Sequence, residues 1–322
     1  MKLRLRAKEI YSAMPALARK AAAEGIVLLK NNNALPYKLD TKISVFGRCQ
    51  LDYFYVGYGS GGDVNAPYFV NVIDGIKNAG GHVNEWLLEY YKDFTKNNPA
   101  PHGFWGHWPM NFEEPSLDDK IIERASEESD VALVVIGRAA GEDRENTLTK
   151  GSYYLTDEER TLLDNVCNHF SNVTVLLDCG NIIDMQWVLD YEERLRGIIY
   201  AWQGGMESGN AIADVLFGRV NPSGRLTDTI AVRYEDYPSA MHFGNKLFNT
   251  YVEDIFVGYR YFETFSKEKA LFPFGYGLSY TNFDIEVLDF KADNDKIMVE
   301  VRVTNIGDVV GKEVVELYAN VP

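Results

Sequence analysis

The 322-residue sequence is short of basic residues, with 32 lysines and arginines against 47 aspartates and glutamates and a net charge of −15. A surface of that sign repels phosphate backbones and anionic bilayers, so neither nucleic acid nor a membrane is expected as a partner. Cysteine is scarce too: Cys49, Cys167 and Cys179 make an odd number in a long chain. A disulfide framework is therefore not expected, and a reducing, cytoplasmic location is. His102 and His107 lie in a Gly/Pro-rich loop and His82, His169 and His242 are scattered singly without ligand spacing, so no metal site is expected. No apolar run approaches the ~18 residues of a membrane span. The basic start Met1 to Lys8 leads into the polar helical stretch Glu9 to Lys20, not into the apolar core of a signal peptide.

What is present is ordinary globular composition, 46% hydrophobic and 25% charged, with length for two domains. From residue 16 to about 230, helix-like stretches alternate with the β-branched runs Ile26 to Leu29, Ile43 to Phe46, Val131 to Ile136, Val173 to Leu177 and Gly197 to Trp202. That alternation predicts an α/β fold with a mostly parallel sheet, and the continuous apolar runs predict helices on both of its faces. Helices are predicted at Leu117 to Glu128, at Asp157 to His169 behind the N-cap Thr156, and at Ser208 to Phe217.

Between the second and third strands, residues 84–115 are unusually aromatic, with Trp86, Tyr90, Tyr91, Phe94, Phe104, Trp105, Trp108 and Phe112 among Pro99, Pro101, Gly103 and Gly106. They read as an insertion carrying a long loop, whose ring faces suit sugars, or pack the loop itself, or form a homo-oligomeric contact. After about residue 280 the period becomes two: Phe283-Ile285-Val287, Ile297-Val299-Val301-Val303 and Val315-Leu317 alternate with polar residues around Asp293-Asn294-Asp295 and Asn305-Ile306-Gly307. This predicts the beginning of an all-β immunoglobulin- or fibronectin-like sandwich, which needs about seven strands where about three fit. The expected division is an α/β sandwich domain over 1–230, a linker over 231–280 and an incomplete fibronectin type III-like domain over 281–322.

Gly57-Tyr58-Gly59-Ser60-Gly61-Gly62 satisfies G-x-G-x-x-G but not its dinucleotide-binding context. Ten residues separate it from Phe46, and Asn65-Ala66-Pro67 follows where a helix should open. A glycine-rich loop that lets a ligand approach its backbone is the better reading, against a merely flexible loop. The stronger signal is Gly141-Glu142-Asp143-Arg144-Glu145-Asn146, just beyond the apolar run Val131 to Ile136. Ligands of open α/β sheets bind outside the carboxyl ends of strands, and glycoside hydrolysis commonly uses a pair of carboxyls. On residues alone Glu142, Asp143 and Glu145 all compete as a general acid, and a solvated acidic loop with Arg144 paired internally remains the alternative.

Four stretches together resemble the α/β sandwich domain and following region of glycoside hydrolase family 3, the family of many β-glucosidases. They are Ala21-Ala22-Ala23-Glu24-Gly25-Ile26-Val27-Leu28-Leu29-Lys30-Asn31, the Gly141 to Asn146 segment, Ala211 to Gly218 continuing through Asn221 to Leu226, and Val257-Gly258-Tyr259-Arg260-Tyr261 running on to Phe272 to Tyr280. The resemblance implies that Glu142, the first glutamate of its segment, is the general acid/base, with Glu145 the reserve candidate. It also implies that the loop from Gly57 to Asp63 reaches over a sugar subsite, where the hydroxyl of Ser60 can bond a sugar hydroxyl. The Asn221 to Leu226 and Phe272 to Tyr280 motifs are read as structural.

The family's nucleophile, an aspartate in a Ser-Asp-Trp motif, and a sugar-binding Lys-His-Phe motif belong to a (β/α)₈ barrel, and neither motif occurs here. Ser129-Asp130 is followed by Val131, and His169-Phe170 is preceded by Asn168. The expectation is the acid/base part of a retaining β-glycosidase from a member with permuted domain order, lying ahead of its barrel in a longer enzyme. Its expected substrate is a β-glucoside or cello-oligosaccharide cut from the non-reducing end, with no metal or organic cofactor. It is expected to be inactive without a barrel in cis or trans. A non-catalytic carbohydrate-binding or assembly module is the alternative, with an unrelated nucleotide-binding α/β domain behind it.

Overall fold

The computed structural model describes residues 2–319 apart from 63, 104, 105, 143–145, 192 and 294, with side chains from residue 12 onward. In chain order its main elements are α1 Lys2–Gly25, β1 Val27–Asn31, β2 Lys42–Phe46, α2 Val72–Asn78, β3 His82–Val83 and α3 Glu85–Asn97. They continue with α4 Asp119–Glu127, β4 Val131–Arg138, α5 Asp157–His169, β5 Val173–Cys179, β6 Leu195–Tyr200 and α6 Ser208–Leu216. Six strands form one sheet in the order β1-β6-β5-β4-β2-β3. Only β1 runs antiparallel to its neighbour, pairing Val27 with Tyr200 at the sheet edge.

All eight residues of β4 are buried, because the sheet is covered on both sides. Alternate side chains point to opposite faces. Ala132, Val134 and Ile136 pack with Leu87 and Tyr91 of α3, Ile122 of α4 and Leu163 and Val166 of α5. Val131, Leu133 and Val135 pack with Val72 and Ile76 of α2 and Ile212 and Leu216 of α6. Outside α6 lies α1, joined to it by Arg19, whose Nε and terminal nitrogen donate to the two carboxylate oxygens of Asp214 at 2.6 and 2.7 Å. The predicted mostly parallel sheet between helices is therefore the observed one.

Two expectations are corrected. The first half of the aromatic stretch is helix, not loop: Asn84 caps α3 by accepting from the Leu87 amide, and Leu87, Leu88 and Tyr91 turn into the core. Interleaved aromatics hid this helical spacing of buried positions. Phe104 and Trp105 lie outside the described residues. In the C-terminal part, β9 Phe283–Asp293 and β10 Lys296–Asn305 pair antiparallel as their alternation predicts, and Asn294 lies outside the described residues. Val315-Leu317, however, is no strand. A period of two makes a strand only where another strand accepts its backbone hydrogen bonds, and the described residues give this one none. A short antiparallel pair, β7 Ile230–Ala231 with β8 Ala270–Phe272, precedes β9, and α7 Tyr259–Phe265 lies between those two strands in the chain.

Tyr91 also anchors the loop that leads from α3 to α4. Its hydroxyl accepts from the Gly47 amide at 2.9 Å and donates to Glu114 at 3.0 Å, while the Arg48 amide donates to the other Glu114 oxygen at 2.7 Å. The residue keeps some surface, but its carboxyl is enclosed, and burial pushes it up to about 8 against these donors. Because the folded state holds this proton more tightly than the unfolded chain, the contribution of Glu114 is fully present below about pH 4.5 and is lost as pH rises to about 8. Urea unfolding midpoints should therefore fall between pH 5 and pH 8, and Glu114→Gln should flatten that slope, by up to about 1.4 kcal/mol per pH unit. An unchanged slope in the variant would remove Glu114 as its cause.

Candidate functional site

At the carboxyl end of the sheet, β4 closes on Arg138, which is fully buried. Its two terminal nitrogens donate to the two oxygens of Glu159 at 2.7 and 2.6 Å, and further N–H groups reach the carbonyls of Gly137, Ser152 and Tyr154 at 2.7, 3.1 and 3.2 Å. Glu159 is the third helical residue of α5. It also accepts from the Thr156 amide at 2.8 Å, while Thr156 Oγ1 accepts from the Glu159 amide at 3.1 Å, so the capping box and the ion pair share one carboxylate. The loop between β4 and α5 is thus tied at both ends to the same guanidinium. Sequence reasoning overlooked this pair. The available signal was an arginine ending an apolar strand, followed by Thr156-x-x-Glu159.

The glycine-rich loop lies along the first residues of that segment as a short parallel bridge. The Tyr58 amide donates to Ala140 O at 2.8 Å, and the Glu142 amide donates to Tyr58 O at 3.1 Å. Such contact leaves no room for side chains. Gly59 has φ +112°, and a Cβ there would sit 2.4 Å from the Cβ of Glu142; one on Gly62 would sit 1.9 Å from Gly57 O. The glycines therefore serve close approach of the chain to its own backbone, a contact that neither the ligand-approach nor the flexible-loop reading named, and among the described residues no helix begins between them and Val72. The chain leading into this loop is held by Asp178 of β5, whose Oδ2 accepts from the Phe54 amide at 2.6 Å. Burial pushes the Asp178 carboxyl well above the usual carboxylate range. Beside the bridge, Tyr58 stacks on Trp108, with ring centroids 5.5 Å apart and planes 6° from parallel.

Glu142 and Ser60, 82 positions apart in sequence, meet here. Both the Ser60 amide, at 2.8 Å, and the Ser60 hydroxyl, at 2.5 Å, donate to Glu142 Oε2. Glu142 is exposed, and the hydroxyl first, then the amide, hold its carboxyl below the usual range. In this setting it is a carboxylate, because both donors favour the ionised form. Glu145, Asp143 and Arg144 lie outside the described residues. Among the described residues no group of three or more His, Cys, Asp and Glu side chains is placed to hold a metal ion, and no helix is long and apolar enough to cross a membrane.

Removing one partner of a buried ion pair strands the other charge, at a cost of about 3–5 kcal/mol. Glu159→Ala should therefore lower unfolding stability by about that amount in urea titrations; a loss below about 1 kcal/mol would show that the pair does not secure this end of the sheet.

Residues 26–280 match the Glycosyl hydrolase family 3 C-terminal domain. A β-glucosidase of Ruminococcus albus is 47% identical over 306 residues, covering 95% of this chain and 32% of the relative. The crystal structure of a β-glucosidase from Paenibacillus barengoltzii superposes with a TM-score of 0.89 at 48% identity, covering 91% of this chain and 33% of that one. β-Glucosidase 3B from Thermotoga neapolitana in complex with glucose gives a TM-score of 0.80 at 36% identity, covering 90% and 41%. The chain thus spans about a third of the length of the Ruminococcus albus relative. With the domain matched over most of its residues and these identities across nearly all of it, the chain belongs to glycosyl hydrolase family 3 and carries that family's C-terminal domain.

Proposed function

We propose that this domain supplies the general acid/base of a retaining β-glycosidase that removes terminal, non-reducing β-D-glucosyl residues, and that Glu142 is that group. The observation that carries the reading is the placement of Glu142, exposed at the carboxyl end of a buried parallel strand and held by one oxygen on Ser60. The β-glucosidase relatives and the glucose complex of the Thermotoga neapolitana enzyme support a glucosyl substrate. Glu145 is the reserve candidate. The Ser60 hydroxyl has a single proton, which it gives to Glu142, so toward a sugar hydroxyl it acts as an acceptor.

A retaining mechanism needs a second carboxyl ~5–5.5 Å away as nucleophile, which a (β/α)₈ barrel in cis or trans would bring. Its arrival has an electrostatic consequence. A neighbouring negative charge and the exclusion of water both favour the protonated form, raising Glu142 from its present depressed state into the range of an acid. Once the nucleophile is consumed in the glycosyl-enzyme, that repulsion disappears, and Glu142 again becomes the base that activates water. The domain alone has the proton carrier without the nucleophile and is inactive in this reading.

Turnover of p-nitrophenyl β-glucoside and cellobiose should be measured for this chain and for the product of the complete open reading frame that encodes it, each with and without Glu142→Ala. The chain alone should give no turnover. In the full product, Glu142→Ala should slow cellobiose hydrolysis by about 10²- to 10⁴-fold, the range of general acid/base catalysis. Full activity in that variant would overturn the assignment, and sugar affinity without turnover in every form would favour a non-catalytic module.

A further inference from the structure

We propose that Ser60 is a positioning residue that fixes Oε2 of Glu142 and so reserves Oε1 as the atom that gives and takes the proton. This rests on the acid/base reading of Glu142 and deepens it. The two donors on Oε2 come from one residue and differ in kind: the amide hydrogen cannot be turned away, whereas the hydroxyl can rotate. A proton on Oε2 would oppose the fixed amide hydrogen and force the hydroxyl to reverse. A proton on Oε1 leaves both bonds intact. The loop cannot slide to relieve this, because the Gly62 amide closes a turn on Gly59 O at 3.0 Å and Tyr58 is bridged to Gly141.

The chemistry then has a defined direction. In glycosylation the Oε1–H bond breaks and its proton passes to the glycosidic oxygen. That oxygen keeps the electron pair of its bond to the anomeric carbon, which bonds instead to the nucleophile carboxylate. In deglycosylation a water proton passes to Oε1, the water oxygen bonds the anomeric carbon, and the nucleophile leaves as carboxylate. Throughout, Ser60 keeps its two bonds to Oε2, which favour the ionised form and oppose the rise produced by the second carboxylate.

The test is the pH dependence of kcat/KM for the product of the complete open reading frame, with Ser60→Ala, Ser60→Thr and Glu142→Ala. Loss of the hydroxyl donor should move the basic limb of the profile to higher pH by about one unit, and Ser60→Thr should restore it. A second measurement needs no turnover: the Glu142 side-chain carboxyl, followed by ¹³C NMR in this chain, should titrate at higher pH in Ser60→Ala than in the parent. If Ser60→Ala raises KM while the basic limb and the NMR midpoint stay in place, Ser60 serves the sugar alone and the inference fails, with Glu142 still the acid/base. If Glu142→Ala retains full activity, the acid/base reading itself fails.

Discussion

The bidentate pair of Arg138 and Glu159 is the interaction on which the geometry of the candidate site depends. A guanidinium with no exposed surface is costly to desolvate, and its retention requires that its donors be met: here both oxygens of a carboxylate and three backbone carbonyls meet them. The same carboxylate caps α5, so the helix start and the strand end are held together. Glu142 follows Arg138 by four residues, so this pair anchors the strand end from which Glu142 departs, as the scaffold of a proton-transferring group would in the proposed reading.

The second element of the site comes from elsewhere in the chain and is fixed by sterics. Glycine-only contacts lay the 57–62 loop against the 140–142 backbone, and the outcome is a serine whose two donors converge on one carboxylate oxygen. Position and protonation are therefore linked. The contact that orients Glu142 also keeps it ionised, and an acid role demands an opposing influence from outside this domain. In the proposed reading the site is half of an electrostatic arrangement, ionised on its own and brought into the range of an acid by a neighbouring negative charge.

Much of the scaffold was legible in the sequence because it rests on local patterns. The run Val131 to Ile136 could be little but a strand buried on both faces, and the N-cap Thr156 announced the start of α5. The strand β3, only His82 and Val83, was too short to carry a period. Helix α3 was not legible because the aromatics Trp86, Tyr90 and Phe94 stand beside Leu87, Leu88 and Tyr91, so apolar residues on several faces blur the spacing of the buried positions. Val315-Leu317 alternates without a strand partner among the described residues, and alternation alone does not supply one. Within the site, the glycine loop and the acidic segment were each visible, but their meeting was not, since nothing local couples Ser60 to Glu142. The choice of Glu142 among three carboxylates came from family resemblance, and the buried Arg138–Glu159 pair behind it came only from the folded chain.

The central claim, that Glu142 carries the proton of a retaining glycosidase, is tested most directly by chemical rescue. Azide is an anionic nucleophile that needs no general base, so it can replace water where the base is missing. In Glu142→Ala made in the product of the complete open reading frame, added azide should accelerate release from an activated aryl β-glucoside and yield the β-configured glucosyl azide. An absence of rescue and of that product, with hydrolysis as fast as in the parent, would contradict the account.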